Sequence, residues 1–71
     1  MMENKQLICD LLLKALQATR NGADVIAMKY SNDKEVGIEI VEVYFGNGAI
    51  KTVDVTADSG TAIIKDILKC F

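Results

Sequence analysis

The chemical resources of this 71-residue chain are two thiols and one aspartate-rich junction carrying small hydroxyl residues, with no imidazole anywhere. The lack of histidine removes the usual general base near neutral pH, the Ser-His and Cys-His pairs, and the commonest metal ligand. Two cysteines alone cannot close a four-ligand zinc site within one chain. A thiol becomes a nucleophile when nearby cations lower its pKa, and no basic cluster flanks Cys9 or Cys70. Both are expected to be free thiols acting as small apolar residues in a reducing compartment. Asp54, Asp58, Ser59, Gly60 and Thr61 fall where a strand meets a helix start, a place where backbone N–H groups can hold a phosphate. The run lacks the lysine and glycine spacing of a P-loop, and its aspartates would repel an anion. Its plainer role is to cap a helix. The chain is therefore expected to have no catalytic residue, cofactor or metal and not to be an enzyme.

Composition narrows the class further. Hydrophobic residues make up 51% and charged residues 25% of the chain, a folded composition of a size for one compact domain over residues 1–71. Ten acids against eight bases give a net charge of −2 and a pI near 4.9, which argues against nucleic acid or an anionic membrane as partner. Residues 30–59 hold six acids (Asp33, Glu35, Glu39, Glu42, Asp54, Asp58) and two bases (Lys34, Lys51), a net of −4. No apolar run is long enough for a membrane span. Asp10 and Lys14 interrupt what would otherwise resemble a secretory leader. The expected location is cytoplasmic.

The elements that would position these residues follow from pattern. Residues Glu3 to Asn21 read as a helix: Asp10, Lys14, Gln17 and Asn21 mark a polar face, with Ile8, Leu12, Ala15 and Thr19 opposite. Leu7, Leu11 and Leu16 widen the apolar side. Gly22 suits the left-handed position that ends a helix. Ala23 to Tyr30 reads as a strand with Ile26, Met28 and Tyr30 on one side and Val25, Ala27 and Lys29 on the other. After a polar turn at residues 31–34, Glu35 to Phe45 reads as a second strand. Its apolar residues change parity between Ile40 and Val41, so it either carries a β-bulge there or is apolar on both faces. A three-residue loop through Gly46-Asn47-Gly48 pairs Phe45 with Ala49, Tyr44 with Ile50 and Val41 with Val53, with Gly48 left-handed. Ala49 to Thr56 forms the third strand. Asp58 caps a last helix whose stripe is Ile63, Ile64, Ile67, Leu68 and Phe71.

The predicted fold is α+β: an αβββα chain forming a three-stranded antiparallel meander, with two parallel helices on one face. That element order resembles the double-stranded RNA-binding domain in topology only. The lysine cluster that opens that family's second helix is replaced here by Asp58-Ser59-Gly60-Thr61, so RNA binding is not carried over. One sheet face is left uncovered. Val25, Ala27, Tyr44 and Ile50 are expected to form its apolar centre, and Lys29, Glu42, Thr52 and Asp54 its polar rim, as in a protein interface. The function read from this is a small protein-binding or self-associating module. A homo-oligomer, a dimer, is the first expectation, formed through the face or an edge strand; otherwise a protein partner covers the face. The alternative is an acidic inhibitor or nucleic-acid mimic that blocks a basic groove, by analogy of size and charge with phage and mobile-element proteins such as the anti-CRISPR proteins.

Overall fold

The structure, a computed structural model, describes residues 4–71. The elements are α1 (Lys5–Gln17), β1 (Val25–Asp33), β2 (Ile38–Phe45), β3 (Ile50–Asp54) and α2 (Gly60–Leu68). The strands form one antiparallel sheet in the order β1-β2-β3. Asn4 caps α1, accepting from Leu7 N at 3.0 Å; Glu3, the expected first helical residue, lies outside the described residues. Gln6 bonds to Met28 and Tyr30, while Gln17 bonds to Val25, so α1 runs antiparallel to β1. Lys51, near the start of β3, bonds to Cys70 just beyond α2, so α2 runs antiparallel to β3. β1 and β3 point the same way, and the two helices are therefore parallel. Cys9 and Leu16 of α1 and Ile63 and Ile67 of α2 share one buried cluster with Val25, Met28, Val41, Val43, Val53 and Val55. Both helices thus cover the same face.

The β2–β3 hairpin has the predicted register, with Tyr44 opposite Ile50 and Val41 opposite Val53. Phe45 N donates to Ala49 O at 2.9 Å, and Gly48 sits at φ 92°, a conformation glycine adopts without strain. The other hairpin differs from expectation. β2 carries no bulge at Ile40-Val41, because its register to both neighbours is continuous there. Val41, Val43 and Phe45 face the helices, and Ile38, Ile40, Glu42 and Tyr44 face away, so the strand is apolar on both sides. The irregularity lies in β1, between Val25 and Ala27. The extra residue, Ile26, is 61% exposed, and the shift turns Val25 into the core at 1% exposure.

Helix details also shift. α1 ends at Gln17, four residues before Asn21. Gly22 is not left-handed; it is buried because the chain folds back so closely that a Cβ there would stand 2.5 Å from Leu16 O. The N-cap of α2 is Ser59, accepting from Ala62 N, rather than Asp58. Ile63 and Ile67 are fully buried, Ile64 is half-buried and Leu68 is exposed.

Candidate binding surface

The sheet face away from the helices is read directly from the register, since side chains alternate along each strand. Across β1, β2 and β3 its successive rows are Ala27, Tyr44 and Ile50; then Lys29, Glu42 and Thr52; then Ser31, Ile40 and Asp54. Seven of the eight residues expected on this surface are on it. The exception is Val25, which belongs to the core. The polar residues do not form a rim as expected. Lys29, Glu42 and Thr52 make a band through the middle, with Tyr44 and Ile50 on one side and Ile40 on the other. Ile50 is 54% exposed. Burial, and then the nearby Glu42 carboxylate, raise the Tyr44 hydroxyl above its ordinary pKa.

The two sheet edges are treated differently from the face. Phe45 bonds Ala49 and Val55 bonds Glu39 through their backbones. Bonded pairs alternate along an antiparallel ladder, so β2 turns its even-numbered backbone groups to β1. Met28 and Tyr30 then point theirs to the free outer edge. Gln6 meets both: its Nε2 donates to Met28 O at 3.2 Å, and its Oε1 accepts from Tyr30 N at 2.8 Å. Gln17 Nε2 adds a bond to Val25 O at 2.8 Å. Two glutamine amides of α1 thus cap the edge of β1, blocking strand addition there. On the opposite edge, β3 is only five residues long and turns Lys51 toward the helix side. Its Nζ donates to Cys70 O at 3.0 Å and lies 5.4 Å from the Phe45 ring centroid. A short edge with an inward lysine also discourages pairing.

The acidic residues are largely engaged within the domain. Glu39 Oε2 accepts from Lys5 Nζ at 2.6 Å and from the Tyr30 hydroxyl, and its Oε1 accepts from Ala57 N at 3.0 Å. Those three donors, Lys5 first, hold the Glu39 carboxyl down at about 2. They join α1, β1 and β2 to the loop before α2, where Ala57 adopts φ 61°. Asp58 lies against Asp66. Their mutual hydrogen bond raises the Asp58 carboxyl and lowers that of Asp66, and one buried oxygen of Asp58 has no partner. Asp54 accepts from Thr56 N at 2.9 Å, and its bonds to Thr56 lower its pKa. The junction of residues 54–61 is a capped turn, with its aspartates turned to local partners.

Among the described residues, no three His, Cys, Asp or Glu side chains converge as metal ligands. Cys9 and Cys70 are both free thiols. Cys9 is fully buried, and burial, followed by the Asp10 charge, pushes its thiol up, away from the reactive thiolate. No helix among the described residues is long and apolar enough to cross a membrane.

No protein-family model matches the chain, and neither a curated protein nor a solved structure is detectably similar to it.

Sequence reasoning missed a second exposed apolar set. Leu7 and Leu11 of α1 are 49% and 58% exposed, although the pattern assigns both to the apolar side of the helix. The signal was available: Cys9, Leu12, Leu13 and Leu16 form a tighter helical stripe that leaves Leu7 and Leu11 opposite it. The edge-capping role of Gln6 had no signal in the sequence, because a glutamine on a helix reads as a solvated residue.

Proposed function

We propose that the protein is a non-enzymatic, cytoplasmic module that acts by binding another protein chain through the uncovered face of its sheet. The observation that carries this reading is the contrast between edges and face. Gln6 and Gln17 cap one edge, and the other is short with an inward lysine. The face between them nonetheless presents Tyr44, Ile40 and Ile50 without cover from the helices. A buried, protonated Cys9 and carboxylates bound to neighbours favour binding over catalysis.

The engagement of the acids weighs against the rival reading, an acidic mimic that blocks a basic groove. Of the six acids at residues 30–59, Glu39 is ion-paired with Lys5, Asp58 lies against Asp66, and Asp54 accepts from Thr56 N. A mimic needs such charges free and facing outward.

A photo-cross-linking residue at Thr52, compared with one at Lys14 on the outer side of α1, tests the proposal in producing cells. A discrete protein adduct from position 52 and none from position 14 is the expected result. No adduct from either, or equal adducts from both, overturns it.

A further inference from the structure

We infer that the occupant of this face is a different protein chain, one that presents two Lys or Arg side chains with an apolar side chain between them; this rests on the reading just given. Beyond Ser31, Ile40 and Asp54 the face has a last row, Asp33 and Ile38. Its charges are Lys29 against Asp33, Glu42 and Asp54, one base to three acids and a net of −2. Lys29 and Glu42 are direct cross-strand neighbours and offset one another in charge. Lys34 and Glu35, in the turn after Asp33, do the same. The excess is therefore carried by Asp33 and Asp54, both exposed. Asp33 Oδ1 accepts from Glu35 N at 3.1 Å, and Asp54 Oδ1 accepts from Thr56 N at 2.9 Å. These bonds orient each carboxylate and leave its charge, and those to Thr56 hold the Asp54 carboxyl below its ordinary pKa.

The two carboxylates stand on the outer strands, one row apart. Two strand spacings of ~4.8 Å and a two-residue rise of ~6.8 Å set their positions about 12 Å from one another. Ile38 and Ile40 of β2 lie between them, Ile38 at 48% exposure. An extended segment laid along this diagonal matches it with cations at i and i+4, about 13 Å apart, and an apolar side chain at i+2 on the same side. Toward the other end of the face, Ala27, Tyr44 and Ile50 carry no charge and offer apolar contact. Apolar contact supplies affinity, and the two acids select the partner. The same charge excludes other occupants: two copies of the face would set −2 against −2, and nucleic acid or an anionic lipid surface would be repelled alike. Nor does the face copy a phosphate backbone, which carries one charge per ~1.7 Å of duplex. Here two carboxylates are set far apart with isoleucines between them.

The test uses the photo-cross-linking residue at Thr52, in the full chain and in producing cells. Asp33→Asn combined with Asp54→Asn removes both charges, while each amide oxygen can still accept from Glu35 N or Thr56 N. The double variant should cut the adduct about fivefold, the worth of two exposed ion pairs, with far-UV circular dichroism and melting temperature unchanged. Asp10→Asn removes an exposed charge on α1, away from the face, and should leave the yield as it is. Lys29→Gln should raise it. Mass spectrometry of the adduct should place the cross-link in a segment carrying two Lys or Arg residues. A yield that the double variant leaves undiminished, an equal fall with Asp10→Asn, or a Lys29→Gln yield that fails to rise overturns the basic partner while leaving the binding reading standing. So does a cross-linked segment without basic residues, or an adduct of two copies of this chain. No adduct at all from position 52 overturns the binding reading itself.

Discussion

Replacing Ile63 by alanine tests which face of α2 holds the domain together. Ile63 is fully buried in the cluster that includes Cys9, Val41, Val53 and Val55. Truncating a fully buried isoleucine removes its transfer free energy and leaves a cavity, together about 2–5 kcal/mol. A domain of this length has a total stability of roughly 4–10 kcal/mol at ordinary per-residue values. Its unfolding entropy is about 150 cal/mol/K by the same kind of scaling, so a loss of about 3 kcal/mol lowers the melting temperature by about 20 °C. Ile64, half-buried on the flank of the helix, should cost about 1 kcal/mol on the same substitution, or about 7 °C. Thermal unfolding followed at 222 nm, with urea titration of both variants, gives the two differences. Equal losses, or a larger loss for Ile64→Ala, would show that the helix is rotated about its axis so that Ile64, not Ile63, meets the sheet.

Gly22→Ala should destabilise by about 1–3 kcal/mol, because its Cβ would stand 2.5 Å from Leu16 O and 2.8 Å from Leu16 Cβ. Gly46→Ala, whose Cβ would meet Asp24 O at 3.6 Å, should be tolerated, and urea midpoints of the pair decide the point. Glu39, lowered from 4.5 to about 2, contributes stability that is present above pH 4.5 and is lost as pH falls toward 2. Glu39→Gln should therefore melt lower than wild type at pH 7, with the gap closing between pH 4.5 and 2; a constant gap would contradict the clamp. Asp58 is shifted the other way, above 3.8, so its contribution is full below that pH and is lost as pH rises through its folded value. Asp58→Asn should raise the melting temperature at pH 7 but not at pH 3, and a lower melting temperature at pH 7 would refute the upward shift of the Asp58 carboxyl.

What the sequence determined by itself is the order of elements, the sense of each connection and the register of one hairpin. Asn47 and Gly48 carry their own turn chemistry, and Gly48 needs no partner to adopt positive φ, so the pairing of Phe45 with Ala49 was legible locally. Short connections force reversals, and from these the parallel helices follow. The tertiary structure alone decided three other matters. The first is the parity of β1: Val25, Ile26, Ala27 and Met28 are all apolar, so alternation cannot say where the bulge falls. Pairing to β2, with Gln17 on Val25 O and Gly46 N on Asp24 O at 2.8 Å, fixes it. The second is the cap of α2, since Asp58 and Ser59 are both competent caps. Ser59 holds the position while the Asp58 carboxyl lies against Asp66. The third is the fate of charge. Residue counting made residues 30–59 an acidic surface, but Lys5 is thirty-four residues from Glu39 in the chain and 2.6 Å from it in space. Local pattern fixes what the backbone does within a turn or a strand. Which side chains are neutralised, capped or left exposed depends on residues brought together only when the helices close over the sheet.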